Sequence, residues 1–232
     1  MVRENVPGVC VPELPEDPGD YLEYLYSLNL FETASYSAGD KDRTKQYQTE
    51  VKRVQAAQKF TNEADFLKSL DMVSVVEGFT PFNTPRVAQL SQRSNQFNLR
   101  TVRYTDGEIA ALGASDKHVC LSFTLEDKFG DNGVVTVVIG KKKDDELDVI
   151  LWLMSCRVLK RDMEFAMMDV LASKAIAAGL NNVRGHYYPT AKNGMVKEFY
   201  STQGFEKIAE DADGNTKWLM ELSSYEMKNH VI

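Results

Sequence analysis

Trp152-Leu153-Met154-Ser155-Cys156, then Arg157-Val158-Leu159-Lys160-Arg161, then Asp162 to Ala178, Val183 to Tyr188 and Asn193 to Phe205 form the stretch that decides the fold. It reads as an apolar strand, a basic turn, a long helix, a second strand and a short helix closing on Gly204-Phe205. A strand, a crossover helix and another strand demand parallel pairing. Upstream, His118 to Glu126 and Val134 to Ile139 alternate or run apolar, and a third such run ends at Met154. Tight polar turns join them: Asp127 to Gly133, with the hairpin dipeptide Asn132-Gly133, and Lys141 to Glu146. These strands predict an antiparallel meander, so the expected class is α/β (α+β) with a mixed sheet flanked by helices.

Local signals fill in the rest. Asn62 to Leu70 reads as a short helix and Met72 to Phe79 as a β-branched strand. Thr84 with Pro85 opens another helix, and Thr105 with Glu108 forms a capping box for one stopped at Gly113. Gly179 and Gly204 end helices, and Asp213-Gly214 turns between two last strands. Ahead of Thr61 the character changes. Pro7, Pro12, Pro15 and Pro18 surround an isolated β-like run, Val9-Cys10-Val11. Asp20 to Leu30 is a short amphipathic helix with Asp20 as N-cap, and Asp40 to Phe60 is a polar helix with a Tyr47, Val51, Val54 stripe that bridges two units. The expected organisation is an N-terminal segment at 1–36, a helical linker at 37–60 and the main domain at 61–232.

Charge and composition narrow the function. Acidic residues outnumber basic ones 34 to 27, for a net charge of -7, which argues against a nucleic-acid partner. Cys10, Cys120 and Cys156 are unpaired in spacing and fit a reducing cytoplasm. No apolar run approaches the ~20 residues of a membrane span, so no membrane partner is expected. Gly-x-Gly-x-x-Gly, Walker, His-Glu-x-x-His and Gly-x-Ser-x-Gly motifs are all missing. His118 and His186 lack a second ligand at metal spacing, so no metal role is expected.

The element order resembles the cofactor-binding half of the GNAT N-acetyltransferase fold. In that family the turn before the long helix carries Arg or Gln, two residues, Gly, one residue, then Gly or Ala. Here it reads Arg157-Val158-Leu159-Lys160-Arg161-Asp162. Glycine there permits positive φ and close backbone approach to phosphate, and Lys160 and Asp162 depart from it. The resemblance implies that Arg157, Lys160, Arg161 and the peptide groups through Val158 and Leu159 hold the pyrophosphate of coenzyme A or a phosphopantetheine arm. The bland alternative is that Asp162 caps a helix with an apolar face of Phe165, Met168, Leu171 and Ala172, the cations being merely solvated.

Asn193, Phe199-Tyr200 and Gly204-Phe205 are the second GNAT-like signature. Tyr200 is the candidate general acid for a departing thiolate, or else a core aromatic beside Phe199. Asn193 could bond a pantetheine amide or cap the helix at Gly194. Cys156, where strand meets helix, could be a nucleophile or acyl carrier, or inert packing. Asp127 and Asp131 could supply a base, though a polar hairpin loop explains them as well.

Longer phrases carry a more specific resemblance: Val6-Pro7-Gly8, Val11-Pro12-Glu13-Leu14-Pro15, Asn95 to Leu99, Asp127 to Gly133, Met154 to Leu159 and Pro189 to Gly194. Together they are similar to the C-terminal region of FkbH-like proteins, which join a haloacid-dehalogenase-like (HAD) domain to a GNAT-like domain. The resemblance implies that 1–36 is the tail of a HAD-like domain whose catalytic core is missing. It also implies an acyl carrier protein and the upstream HAD-like domain as partners, and transfer of a glyceryl-type acyl group to a carrier thiol. A non-catalytic carrier-docking module is the competing expectation.

Overall fold

The computed structural model describes residues 11–29 and 43–232. Val9 and Cys10, most of the expected isolated β-run, lie outside the described residues, as do parts of the 1–36 and 37–60 segments and the side chain of Tyr47. Two compact units divide between Glu50 and Val51, upstream of the boundary expected at Thr61. In the first, Asp17 accepts from Gly19 N–H at 2.8 Å to cap a short turn, and helix α1 (Tyr21–Ser27) follows with Asp20 at its N-cap position but no side-chain capping bond. Helix α2 (Arg43–Ala57) runs from the first unit into the second.

The second unit is built on a mixed sheet. Its elements are α3 (Glu63–Lys68), β1 (Val76–Glu77), α4 (Thr84–Arg93), β2 (Phe97–Asn98), α5 (Asp106–Gly113), β3 (His118–Asp127), β4 (Gly130–Lys143), β5 (Glu146–Met154), α6 (Met163–Ala177), β6 (Asn182–Tyr187), α7 (Phe199–Thr202), β7 (Glu206–Glu210) and β8 (Thr216–Glu221). The strand order is β1-β3-β4-β5-β6-β8-β7, with β2 pairing β5 off this path. As expected, β3, β4 and β5 form an antiparallel meander and β5 pairs β6 in parallel across the α6 crossover.

Two apolar layers cover the sheet. On one face Met163, Met167, Met168, Leu171, Ala172 and Ala175 of α6 pack with Phe123, Val138, Trp152 and Val183. On the other, Val87, Ala88 and Leu90 of α4 and Ile109 of α5 pack with Val137, Ile139, Leu151 and Leu153. Local signals set the helix ends: Asn62 accepts from Ala64 N–H at 2.8 Å, and Thr105 with Glu108 closes the capping box. Gly179 and Gly214 take positive φ where the chain reverses.

Several expectations are corrected. The strand expected over Met72 to Phe79 pairs only at Val76–Glu77, with an isolated bridge from Val73 to Glu126. Asn83 rather than Thr84 occupies the α4 N-cap position. Asn132-Gly133 does not turn a hairpin. Asp127 pairs with Gly130 across a tighter turn, and Asn132-Gly133 opposes Leu125 as a bulge, with Gly133 at φ +63.

Asp127 is a buried hub rather than a loop carboxylate. It accepts from Arg53 Nε at 2.9 Å and Nη2 at 3.1 Å, and from Arg161 Nη1 at 3.0 Å, with all of these side chains buried. Helix α2 therefore turns a guanidinium inward and leaves Val51 and Val54, its expected apolar stripe, exposed. Removing the shared carboxylate would take the counter-charge at Asp127 from two buried cations. Asp127→Asn is expected to cost about 3–5 kcal/mol, read as a lower urea midpoint at unchanged slope.

Candidate functional site

The site begins where two strands part. β5 and β6 pair only at Glu146↔Asn182, Leu147↔Val183 and Asp148↔Arg184. Beyond Asp148, Ile139 pairs Leu151 while Gly140 pairs Val149, so Ile150 is bulged out of register with β4. A bulge raises local twist and bends the strand, and here β5 swings away from β6 to leave a fork open toward Met154 and Tyr187.

The chain fills that fork with its own backbone. Phe97 and Asn98 pair antiparallel with Met154 and Leu153, Leu99 N–H donates to Trp152 C=O at 3.1 Å, and Tyr188 N–H donates to Leu99 C=O at 2.8 Å. Asn98 fixes the segment from within: its amide oxygen accepts from Thr101 N–H at 2.8 Å and its amide nitrogen donates to Ser94 C=O at 3.1 Å. Asn193 ties it from outside, donating to the carbonyls of Asn98 and Tyr188 at 2.9 Å each. It also accepts from Thr190 N–H at 2.7 Å and makes no capping bond, so the expected helix cap is corrected. The turn out of the segment places Thr101 at φ 53. A β-branched residue there is strained by about 1–3 kcal/mol.

Past Met154 the chain enters the basic turn. Ser155 Oγ accepts from Arg157 N–H at 3.5 Å, shaping a short turn from Cys156 to Val158. Lys160 and Asp162 adopt φ 61 and φ 57, the backbone that glycine would supply at these positions. Asp162 makes no side-chain capping bond to the α6 N-terminus, so its expected capping role is corrected; its carbonyl accepts from Phe165 N–H at 3.1 Å instead.

The charges around this corner are unequal. Arg161, expected to hold phosphate, is turned inward to Asp127 and donates to Arg157 C=O at 3.0 Å. Lys160 and Cys156 are exposed, Leu159 and Arg157 half-buried, and Val158 buried. Burial lowers the pKa of Arg157, and burial together with the neighbouring charges of Arg157 and Arg93 pulls Arg86 down to about 10. Burial also raises the carboxyls of Asp162 and Glu164, Asp162 further through Glu63 and Glu164 through Asp162, so the acids here are the easier groups to neutralise.

Tyr200 lies deep in an aromatic nest. Its ring is 5.2 Å from Phe199, 4.9 Å from Phe205 and 6.3 Å from Trp218. Gly185 of β6 makes room for it, because a Cβ there would sit 2.3 Å from Tyr200 Cε1. The hydroxyl is fully buried against the His186 backbone, and burial raises it well above the ordinary phenol range.

A polar pair that sequence reasoning missed stands at the root of the fork. His186 Nε2 lies 2.6 Å from Asp148 Oδ1, and Arg184 of the same strand closes on Glu146 at 2.8 and 2.7 Å. Burial opposes the charge on Asp148, yet the His186 hydrogen bond and the charges of His186, Arg100 and Arg184 hold its carboxyl below the usual range. Arg100, at the end of the inserted segment, lies over the Tyr188 ring at 5.0 Å. The signal was polar residues two apart, at Arg184, His186 and Tyr188, on an otherwise apolar strand. Among the described residues no His, Cys, Asp and Glu side chains gather into a group able to hold a metal ion.

Opening of the inserted segment is expected to be separable from unfolding. Asn98→Ala removes the bonds to Thr101 and Ser94, and at about 1 kcal/mol or more in total it should speed hydrogen exchange of the Leu99 and Tyr188 amides roughly 10-fold while Val138 in β4 stays protected.

No family model matches the sequence, and no curated protein matches it. Solved structures do match. A GNAT-family protein from Desulfovibrio desulfuricans aligns over 65% of this chain and 99% of its own at 11% identity and TM-score 0.52. A Methanocaldococcus jannaschii domain aligns over 65% and 99% at 10% identity and TM-score 0.50. The Escherichia coli ribosomal-protein-S18-alanine N-acetyltransferase aligns over 68% and 99% at 12% identity and TM-score 0.49. Among the described residues no helix is long and apolar enough to cross a membrane. The chain has the GNAT acetyltransferase fold.

Proposed function

We propose that this chain is the GNAT-like part of an FkbH-like protein, and that it binds a pantetheine thioester, of coenzyme A or of an acyl carrier protein, for acyl transfer of the glyceryl type. The observation that carries this reading is the backbone at Lys160 and Asp162. Both hold the positive φ that the GNAT turn obtains from small residues, although neither is glycine. Left-handed backbone at non-glycine residues costs free energy and is retained where a site needs it.

In this reading Arg157 and Lys160 meet the phosphates, with the peptide groups through Val158 and Leu159 beside them, while Arg161 braces the turn from behind through Asp127. A thioester supplies an activated carbonyl and a leaving thiolate. Cys156 is the exposed thiol at the lip, and Tyr200 is a hydroxyl that burial keeps protonated, the state a proton donor requires. Asn193 governs the arm indirectly, by holding the segment that fills the fork. An upstream HAD-like domain and a carrier protein are the partners this reading names, with residues 1–36 as the HAD-like tail.

The second reading is a carrier-docking module without catalysis, favoured by the occupied fork: Phe97 to Leu99 already satisfy the β5 edge that an extended arm would use. Thermal unfolding separates the two. Coenzyme A or holo carrier at about 100-fold its Kd should add about 2.7 kcal/mol, a Tm rise of roughly 5–10 °C, and Arg157→Ala/Lys160→Ala should shrink it. Equal shifts with apo and holo carrier would favour docking, and no shift at millimolar coenzyme A would remove the pantetheine reading.

A further inference from the structure

We infer that His186, oriented by Asp148, is the proton acceptor for the nucleophile of this site, and that the Phe97–Arg100 segment covers it until the segment withdraws. The inference rests on the acyl-transfer reading above and names a base that reading lacks.

The geometry of the pair sets the tautomer. With 2.6 Å between Nε2 and Asp148 Oδ1, an ionised carboxylate can only accept, so the ring proton sits on Nε2. Whenever the ring is neutral, its lone pair is then on Nδ1. That atom is buried and has no hydrogen-bond partner among the described residues. Leaving a buried polar atom unmatched is costly, whereas the neighbouring Arg184 on the same strand pairs its Nε and Nη2 with Glu146. An imidazole held by a carboxylate on one nitrogen and left open on the other is arranged to take a proton.

Its place in the fold points the same way. Asp148 is the last β5 residue paired with β6, and His186 lies two residues past the last paired position of β6, where the fork opens. The groups facing it are Asp148 and Glu146 from β5, Arg184 and Tyr188 from β6, Arg100 from the inserted segment, and the Tyr200 hydroxyl of α7 against its backbone. Arg100 Nε is likewise without a hydrogen-bond partner among the described residues. Withdrawal of the segment would therefore carry a cation away from Asp148 and open the fork beside His186.

The step balances without a further reactant. A protic nucleophile of the amine, hydroxyl or water class forms a bond from its lone pair to the thioester carbonyl carbon. Its proton passes to Nδ1, and the carbon–sulfur bond breaks with its electron pair leaving on sulfur. The resulting imidazolium faces the Asp148 carboxylate, which offsets its charge.

Acetyl-CoA with water as acceptor is the probe, using the full chain and following release of free thiol. His186→Gln is expected to lower kcat by at least about 100-fold with KM for acetyl-CoA unchanged. Asp148→Asn should lower kcat and displace the pH profile, and Asn98→Ala should raise the rate in a His186-dependent way. Because a variant could lose its fold, the wild-type His186 ring is also read by nitrogen NMR. The Nε2–H tautomer at neutral pH supports the assignment, and an Nδ1–H tautomer overturns it. Unchanged kcat in folded His186→Gln overturns it too, as does a wild type that binds acetyl-CoA by thermal shift yet releases no thiol. Neither binding nor release would fell the acyl-transfer reading itself, and this base with it.

Discussion

The separation of β5 from β6 governs the rest of this molecule. A parallel pair covered by an α6 crossover would ordinarily continue to the ends of both strands, since unmatched backbone groups in a core are costly. The bulge at Ile150 breaks that continuity after Asp148, and every later feature answers to it. Peptide groups along Trp152 to Met154 lose their neighbour and take Phe97 to Leu99 instead. The aromatic side chains of α7 close the space behind the fork, and Gly185 thins β6 so that Tyr200 can lie flat against it. The fork is thus an opening in the sheet that the chain has sealed with a removable piece of itself.

The basic turn divides its labour in the same spirit. Of the cations that a reader of the sequence would assign to phosphate, Arg161 is spent on Asp127, which Arg53 shares, while Arg157 is half-buried and Lys160 exposed. A buried ion triad is weak support for stability, because desolvation offsets much of the Coulomb gain. Its effect is geometric: it pins the turn, the β3 end and α2 to one another. With that turn pinned, left-handed backbone at Lys160 and Asp162 can persist without glycine.

What could be read from sequence was what is local. The meander, the crossover, the Thr105 capping box and the glycine turns follow from neighbours within a few residues, and they stand as expected. Asn132-Gly133 misled because the same left-handed glycine serves a bulge as well as a hairpin turn, and only strand register distinguishes the uses. Asp127 with Arg53, and Asp148 with His186, are separated by 74 and 38 residues, so no spacing rule could join them. The FkbH-like resemblance spoke to phrases rather than to contacts, and gave no hint that Asn95 to Leu99 would lie in the sheet.

The aromatic nest has an optical consequence. The chain carries two tryptophans, and both are buried on its walls: Trp152 stacks edgewise on Phe199 at 4.8 Å, and Trp218 lies beside Tyr200. Trp152 also lends its carbonyl to Leu99, the residue that plugs the fork. Tryptophan fluorescence of this protein therefore originates wholly from one neighbourhood, making its emission colour an unlabelled gauge of how tightly that neighbourhood excludes water.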